Sequence, residues 1–501
     1  MQTVYETGSR DRPRPGDFSR VIFPFPPGAM VVRFTLMLFA FNPARRKMCL
    51  LPLVAATYFM VAGGPYGIED ILGGAGFARA IVILLALPFL WCLPTALMIG
   101  ELASAIPAEG GFYIWVRRAL GPFWGYQESW LSLSASIFDM ALYPAIFVLY
   151  LGKFSPVLTA GWSGYIWSLA VVALCCAWNL RGAPAVGEDS VWMFVLLLAP
   201  FAVFVILGLW RGLTLHPHMQ WGRPGAGLGA GSALSTAILV AMWNYMGWDN
   251  ASTVAREVEN PQRNYPRAMI FATILVAVTY ILPLAAMALS GLSADSFSTG
   301  DWADAARMIG GTGLVGVGLG LAVVAGGCIT GIGMFNALVM SYTRLPMVMA
   351  EEGMLPRVVA LRNSRGAPWV SVLLCGLAWA LALKLPFERL ISIDLILYGS
   401  SLLLEFVALI VLRIREPNLA RPFKAGNLAF ACLLGAGPAA LIGFALWASR
   451  EERILGTTSA TLFSVAVGLL GPVLYWLTAA PLARRLAAQS ATESSLPPRN
   501  G

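Results

Sequence analysis

Residues 58–70 read Tyr58-Phe-Met-Val-Ala-Gly63-Gly64-Pro65-Tyr66-Gly67-Ile-Glu69-Asp70, and they interrupt an apolar run that begins near Met48. Glycine destabilises a helix and proline removes a backbone donor. An α-helix therefore does not run comfortably through a Gly-Gly-Pro sequence that is followed two residues later by another glycine. The stretch predicts a hydrophobic helix that unwinds across residues 63–67.

A second apolar run contains a weaker break. It reads Trp243-Asn244-Tyr-Met-Gly247-Trp248-Asp249-Asn250, which places polar residues and a glycine close to the middle of the run, without a proline. Glycine in membrane helices also serves close helix packing, and packing is the alternative interpretation of both breaks.

The chain around these breaks has the composition of a membrane protein. Of its 501 residues, 58% are hydrophobic and 12% are charged, which excludes an ordinary soluble surface. A helix that spans a bilayer takes roughly 20 apolar residues, and the apolar runs predict twelve such helices in one all-α polytopic membrane domain. The predicted spans are 48–73, 80–105, 124–151, 165–180, 188–209, 233–256, 267–291, 313–343, 368–385, 389–412, 428–448 and 458–479.

The position of the two breaks predicts a transporter with an internal repeat. Spans one and six each open a unit of five helices, and because five is odd the second unit enters the membrane from the opposite side. Paired discontinuous helices in two inverted halves point to a substrate site. We predict repeats at 48–209 and 233–412 and two further helices at 428–479, within a transporter domain of 48–482. Residues 1–47 and 483–501 are predicted to be tails, the first one basic and disordered.

The basic residues predict the orientation of the chain. The predicted spans place 25 of the 34 Lys and Arg residues on the side of the N-terminus and 9 on the other side. The positive-inside rule then places both termini in the cytoplasm. Because these residues lie between apolar runs and not in one stripe, the net charge of +8 does not indicate a nucleic-acid partner.

Backbone groups at a helix break lose their partners, and in a membrane they tolerate this loss only beside a cavity or a ligand. Helix N-termini suit a carboxylate and free carbonyls suit an ammonium group, so a zwitterion fits both. The aromatic side chains at the breaks can cap such a site or stack on a cation, although packing is the commoner role. The predicted binding residues at the breaks are Gly63, Gly64, Pro65, Tyr66, Gly67, Trp243, Asn244, Gly247, Trp248 and Asp249.

Two acidic residues inside predicted spans are further candidates. Asp139 lies about halfway along the third span, on a helical face that also carries Glu128, Ser132, Ser136 and Tyr143. A carboxylate at that depth costs roughly 2.5–3.5 kcal/mol or more. The tenth span holds a second such acid in the sequence Leu402-Leu-Leu-Glu405-Phe-Val. Either acid can bind a substrate ammonium group or carry a coupling proton, and a structural ion pair is the alternative.

Other motifs carry no chemistry. The sequence Gly311-Thr-Gly313-Leu-Val-Gly316 matches a dinucleotide fingerprint, but it opens an apolar helix without a preceding strand. The seven cysteines lack metal-ligand spacing, and His216 and His218 lie in a Gly/Pro-rich connector without a nearby carboxylate. We predict no enzyme activity, no cofactor and no metal.

Four strings on the turns between predicted spans resemble the amino acid–polyamine–organocation transporter superfamily. They are residues 101–111, 257–268, 344–356 and 415–423, and the likeness runs from about Lys47 to the twelfth span. The two breaks look most like the branch that contains plant polyamine uptake transporters. The resemblance implies a five-plus-five inverted-repeat fold, a site between spans one, three, six, eight and ten, and coupling to protons or another cation. The cytoplasmic motif residues that it implies are Glu101, Glu257, Pro261, Arg344, Gly353 and Pro356.

The sequence departs from that branch at two positions. Plant members typically carry carboxylates where this chain has Met60 and Asn336, whereas Glu405 matches. The fifth span also lacks the lysine that some bacterial members use in place of a coupling cation. The prediction is therefore an amino acid permease of the plasma membrane, with Asn336 in its site and H⁺ as the expected coupling ion. Polyamine or organic cation transport is the alternative, and a nontransporting sensor or a partner-dependent subunit is the alternative from another class.

Overall fold

A computed structural model of the protein describes residues 47–215, 230–294, 297–384, 390–455 and 458–482. The predicted tails and the connector that carries both histidines lie largely outside these residues. Within them the chain is almost wholly helical, as the apolar runs predict.

The first five helices run from the helix before the first break to the long helix that carries Asp139. Helix α1 ends just before the break and α2 begins just after it, and the backbone of Gly76 interrupts α2 with φ 71° and ψ 169°. This interruption separates the first predicted span from the second. The helices are α1 (Leu50–Val61), α2 (Glu69–Leu87), α3 (Leu93–Ala105), α4 (Gly111–Leu120) and α5 (Pro122–Phe154).

The next group reaches the second break and continues beyond it. A 3-10 helix, Trp248–Thr253, follows the break, and short helices that the apolar runs do not predict lie between the long ones. The helices are α6 (Trp162–Asn179), α7 (Ala183–Leu215), α8 (Ala230–Trp243), α9 (Pro261–Leu289), α10 (Trp302–Gly310), α11 (Leu314–Tyr342) and α12 (Arg344–Glu351).

The last group is α13 (Trp369–Ala382), α14 (Leu390–Arg415), α15 (Leu428–Ala448) and α16 (Ala460–Leu474). A small antiparallel hairpin of β1 (Arg453–Leu455) and β2 (Thr458–Ser459) precedes α16. The all-α prediction therefore needs this one addition, because the start of the predicted twelfth span is a strand.

Eight stretches of the described chain are helices long and apolar enough to cross a membrane, and three apolar helices are shorter. Two of the shorter ones, Leu50–Val61 and Leu234–Trp243, end at the breaks. The count of twelve spans stays a prediction.

Burial divides the long helices into an inner and an outer set. In the most apolar 18-residue stretch of α5, 72% of residues are buried, and in the corresponding stretch of α14 the share is 67%. The share falls to 22% in the stretch that forms α7 and to 17% in the stretch that contains α16, where Leu and Val side chains face outward. Helices α5 and α14 pack against each other at the centre, so their polar residues lie inside the bundle.

Candidate functional site

The backbone is non-helical across the first break, where the sequence predicts unwinding. Gly64 and Gly67 have φ values of 73° and 89°, which favour glycine. Side chains from other elements satisfy carbonyl oxygens that the break leaves free. These hydrogen bonds run from Thr330 Oγ1 to Gly63 (2.7 Å), from Trp302 Nε1 to Pro65 (2.7 Å) and from Asn244 Nδ2 to Gly67 (3.0 Å).

The second break packs directly on the first helix. Gly247 has φ 94°, and a Cβ atom built on it would lie 2.3 Å from the carbonyl oxygen of Met60. Its N–H donates to the Tyr398 hydroxyl at 2.9 Å. The contacts of Gly247 are thus those of the packing alternative, because another backbone occupies the space in which we expected substrate.

Several predicted binding residues use their polar atoms within the protein. The Tyr66 hydroxyl donates to the carbonyl of Val323 at 2.6 Å, and Trp248 Nε1 donates to the carbonyl of Tyr245 at 2.8 Å. Asn336 accepts a hydrogen bond of 2.8 Å from Asn179, which lies at the end of α6. The contacts of Tyr66 and Asn336 join separate elements of the bundle, whereas the contact of Trp248 lies within the second break.

Asp139 lies beside the second break. Its Oδ1 accepts hydrogen bonds from the Tyr143 hydroxyl (2.6 Å) and from Trp243 Nε1 (3.2 Å). The rings of Tyr143 and Trp243 stack with their centroids 6.1 Å apart. The structure therefore brings the helix of Asp139 and the second break together, and Trp243 orients the carboxylate.

A second acid lies in the interior near Asp139, and the sequence pattern alone did not lead us to it. Asp394 on α14 is fully buried and interacts electrostatically with Asp139. Neither of its oxygen atoms has a hydrogen-bond partner within the described chain. A signal for it existed, because Asp394, Tyr398, Ser401 and Glu405 recur at helical spacing and form one face of α14.

Further acids continue this row. The Tyr398 hydroxyl donates to Asp249 Oδ1 at 2.5 Å, and Glu405 interacts electrostatically with both Asp249 and Glu128. All three of these acids are at most 1% exposed. The interior thus holds five neighbouring carboxyl groups, on α5, on α14 and after the second break.

The end of the bundle where α14 terminates, here named the charged end, pairs its acids with arginines. Buried Glu101 contacts Arg413 and lies 3.3 Å from Arg421, and Glu257 contacts Arg344. Burial works against the charge of Arg362, yet its bonds with Glu351 and Glu109 hold its pKa above the ordinary value. The other motif residues shape the backbone: Pro261 begins α9, Gly353 has φ 76° and Pro356 precedes a 3-10 turn.

A bundle of long apolar helices with two interrupted segments and an acidic interior defines a polytopic membrane protein. The profile of the family described as "Amino acid permease" matches residues 54–490. The chain therefore belongs to this family of the amino acid–polyamine–organocation superfamily, whose members are transporters and not enzymes.

Relatives with curated names agree with this assignment. The chain is 33% identical over 438 residues to "Polyamine transporter PUT1" of Oryza sativa subsp. japonica. The matched region covers 85% of this chain and 77% of the relative. The chain is 34% identical over 396 residues to "Polyamine transporter RMV1" of Arabidopsis thaliana, with coverage of 77% and 78%. "Serine/threonine exchanger SteT" of Bacillus subtilis (strain 168) is 27% identical over 395 residues, with coverage of 77% and 85%.

Proposed function

We propose that this protein is a secondary active transporter that carries a polyamine or a closely related organic cation by alternating access. One observation carries the proposal. Asp139 and Asp394 are two buried, interacting acids, and no ion pair to either occurs in the part of the chain that the structure describes. Two interacting acids without a base are costly to ionise inside a membrane protein, and an external cation would let both carry their charge.

This proposal replaces the amino acid as the preferred substrate. The sequence favours an amino acid because carboxylates are missing at Met60 and Asn336. Asp394 supplies a buried acid in addition to those considered when Met60 and Asn336 were compared with the plant sequences. Both plant relatives are named polyamine transporters, and their identity to this chain is higher than that of the serine/threonine exchanger. An amino acid also needs N–H donors for its carboxylate, and the N–H groups of Gly67 and Gly247 at the two breaks already donate to Glu69 and to Tyr398.

In the proposed cycle, the breaks after α1 and α8 separate short helical segments that can move relative to the inner helices. Twelve spans, an inverted repeat of 48–209 and 233–412, cytoplasmic termini and a plasma membrane location belong to the same proposal. Asp139 and Glu405 are the candidates for a coupling residue, and H⁺ is the proposed coupling ion.

The test is uptake by the purified chain alone in liposomes, with radiolabelled putrescine, spermidine and a panel of amino acids. We expect polyamine uptake that amino acids inhibit poorly. Asp139→Asn and Asp394→Asn should each weaken polyamine binding roughly tenfold to a hundredfold, because each removes a charge-assisted contact but preserves the side-chain shape.

Glu451→Gln is the matched control, because the Glu451 side chain is 83% exposed outside the bundle. It should leave uptake unchanged. Uptake of an amino acid with no competition from polyamines would contradict the proposal. No uptake of any compound by correctly folded chain would favour the sensor or the partner-dependent subunit.

Orientation is tested separately with reporter fusions. A reporter near Ser298 should lie outside the cell, and reporters near Ser364 and at the C-terminus should lie inside. The same signal from Ser298 and Ser364 would contradict the twelve-span arrangement.

A further inference from the structure

The acids on α5 and α14 form two pairs at matching heights. Glu128 and Asp139 are eleven residues apart on α5, and Asp394 and Glu405 are eleven residues apart on α14. Arg415 at the end of α14 donates to the carbonyl of Ala119 just before α5, so the two packed helices lie antiparallel, and the electrostatic interactions of Asp394 with Asp139 and of Glu405 with Glu128 agree with this register. At 1.5 Å per residue, the two pairs are about 16 Å apart along the helices.

The second pair lacks a cation as clearly as the first. Glu405 is 0% exposed, and in the described part of the chain neither of its oxygens has a hydrogen-bond partner. Glu128 accepts from the hydroxyl groups of Ser132 (2.9 Å) and Ser129 (3.5 Å), which bring no charge. A fully buried acid with two free oxygens is expensive unless something else meets it.

The nearest basic residue along α14 is not available to this pair. Arg413 lies eight residues beyond Glu405, roughly 12 Å along the helix. Its guanidinium group is already bound to Glu101 and to carbonyl oxygens of residues 425–427. The pair of Glu128 and Glu405 therefore differs from the ion pairs of the charged end, although it lies on the way to them.

Asp249 lies between the two pairs and makes the row continuous. It binds the Tyr398 hydroxyl, one turn along α14 from Asp394. It also interacts electrostatically with Glu128 and Glu405, while Tyr342 interacts with Asp139, Asp394 and Asp249. A molecule that extends from one pair to the other would meet an acid on the way.

The length of this row selects among polyamines. With bonds near 1.5 Å and angles near 111°, an extended chain advances about 1.25 Å per bond, so about 13 bonds bridge 16 Å. Roughly that many bonds separate the terminal nitrogens of the tetraamine spermine. Putrescine, with about five bonds, reaches only one pair, and spermidine, with about nine, reaches Asp249 from either pair.

We infer that Glu128 and Glu405 form a second ammonium subsite, so that a long polyamine binds along α5 and α14 with one terminal ammonium group at each acid pair. This inference rests on the proposed function. It adds that the protein distinguishes polyamines by length and that Glu405 contacts substrate.

The first test uses the unmodified purified protein in lipid nanodiscs. Competition against radiolabelled spermidine is measured with a series of α,ω-diamines of increasing chain length, together with putrescine and spermine. We expect affinity to rise at least tenfold from putrescine to spermine and, among the diamines, to be highest near twelve methylene groups. Equal affinity for all lengths would overturn the inference and leave polyamine transport intact, whereas no binding of any polyamine would remove both.

The second test uses Glu405→Gln and Glu128→Gln. Each should weaken spermine binding tenfold or more, whereas putrescine can still bind at the pair of Asp139 and Asp394, and retained putrescine binding shows that the variant is folded. If a variant does not fold, the diamine series still decides the question. If Glu405→Gln binds spermine normally and exchanges it but no longer concentrates it under a pH gradient, Glu405 is a proton carrier and the inference is wrong.

Discussion

Acidic residues have different partners in the interior of the bundle and at its charged end. At the charged end, Glu101 and Glu257 each lie against an arginine, and Glu109 lies 3.1 Å from Arg362. In the interior, Asp394 and Glu405 are as fully buried as Glu101, whereas Glu257 is partly exposed, but neither finds a hydrogen-bond partner among the residues described. The fold can supply a base to a buried acid, so the acids left without one are the place where we propose that a cation from outside binds.

The largest expected effect separates the two regions by stability. Arg413→Ala removes the arginine that contacts both oxygens of fully buried Glu101 and should destabilise the protein by about 3 kcal/mol, because Glu101 then keeps only its 3.3 Å contact with Arg421 as a charged partner. Thermal unfolding of purified protein in detergent measures the loss. Arg118→Ala is the control, since the Arg118–Glu416 pair is partly exposed and worth only about 0–1 kcal/mol. Equal shifts in the two variants would contradict the contrast.

The interior acids should show the reverse pattern. Asp394→Asn should cost about 1.5–3 kcal/mol of polyamine binding, through the loss of a charge-assisted contact. Its melting temperature should stay the same or rise, because the substitution relieves the repulsion between Asp394 and Asp139. Spermidine binding and thermal unfolding are measured on the same preparation. A large loss of stability would place Asp394 with the structural ion pairs of the charged end.

A smaller effect tests the second break, which links the two halves of the interior. Gly247 has a φ of 94°, and a Cβ atom at this position would lie 2.3 Å from the Met60 carbonyl oxygen. Gly247→Ala should therefore cost about 1–3 kcal/mol of stability. Gly318→Ala is the control, since nothing lies within 4 Å of the added methyl group. Thermal unfolding and membrane yield are measured. Normal stability with abolished transport would indicate that Gly247 lies in the substrate site.

The smallest expected effect concerns the orientation of Asp139. Trp243→Phe keeps an aromatic ring against Tyr143 but removes the 3.2 Å hydrogen bond to the carboxylate. We expect polyamine binding to weaken by about 0.5–1.5 kcal/mol, the usual worth of one such bond. A loss as large as that of Asp139→Asn would mean that Trp243 itself contacts the cation.

Local features of the sequence were enough to predict the breaks and two of the acids. Gly-Gly-Pro cannot continue a helix wherever it lies, and Asp139 and Glu405 stand out because each is a charge in an apolar run. Asp394 was missed because it lies near the beginning of its span, where a charge is unremarkable until its partner is known. Asn336 was assigned to the site on the resemblance alone, and its contact with Asn179 belongs to helix packing.

The sequence by itself determined that this chain is a membrane protein of long apolar helices, where those helices are interrupted, and which family it belongs to. The first two properties depend on composition, on helical period and on the conformational limits of glycine and proline, all of which act within a few residues, whereas the family follows from the resemblance of short motifs. Only the tertiary structure decided which buried acids receive an arginine and which face each other. Glu101 and Arg413 are 312 residues apart, and no local sequence pattern can relate residues at that separation. Asp139 and Asp394 come close only because α5 packs on α14. Partners so distant in sequence are fixed by how helices pack, since packing alone brings their side chains together.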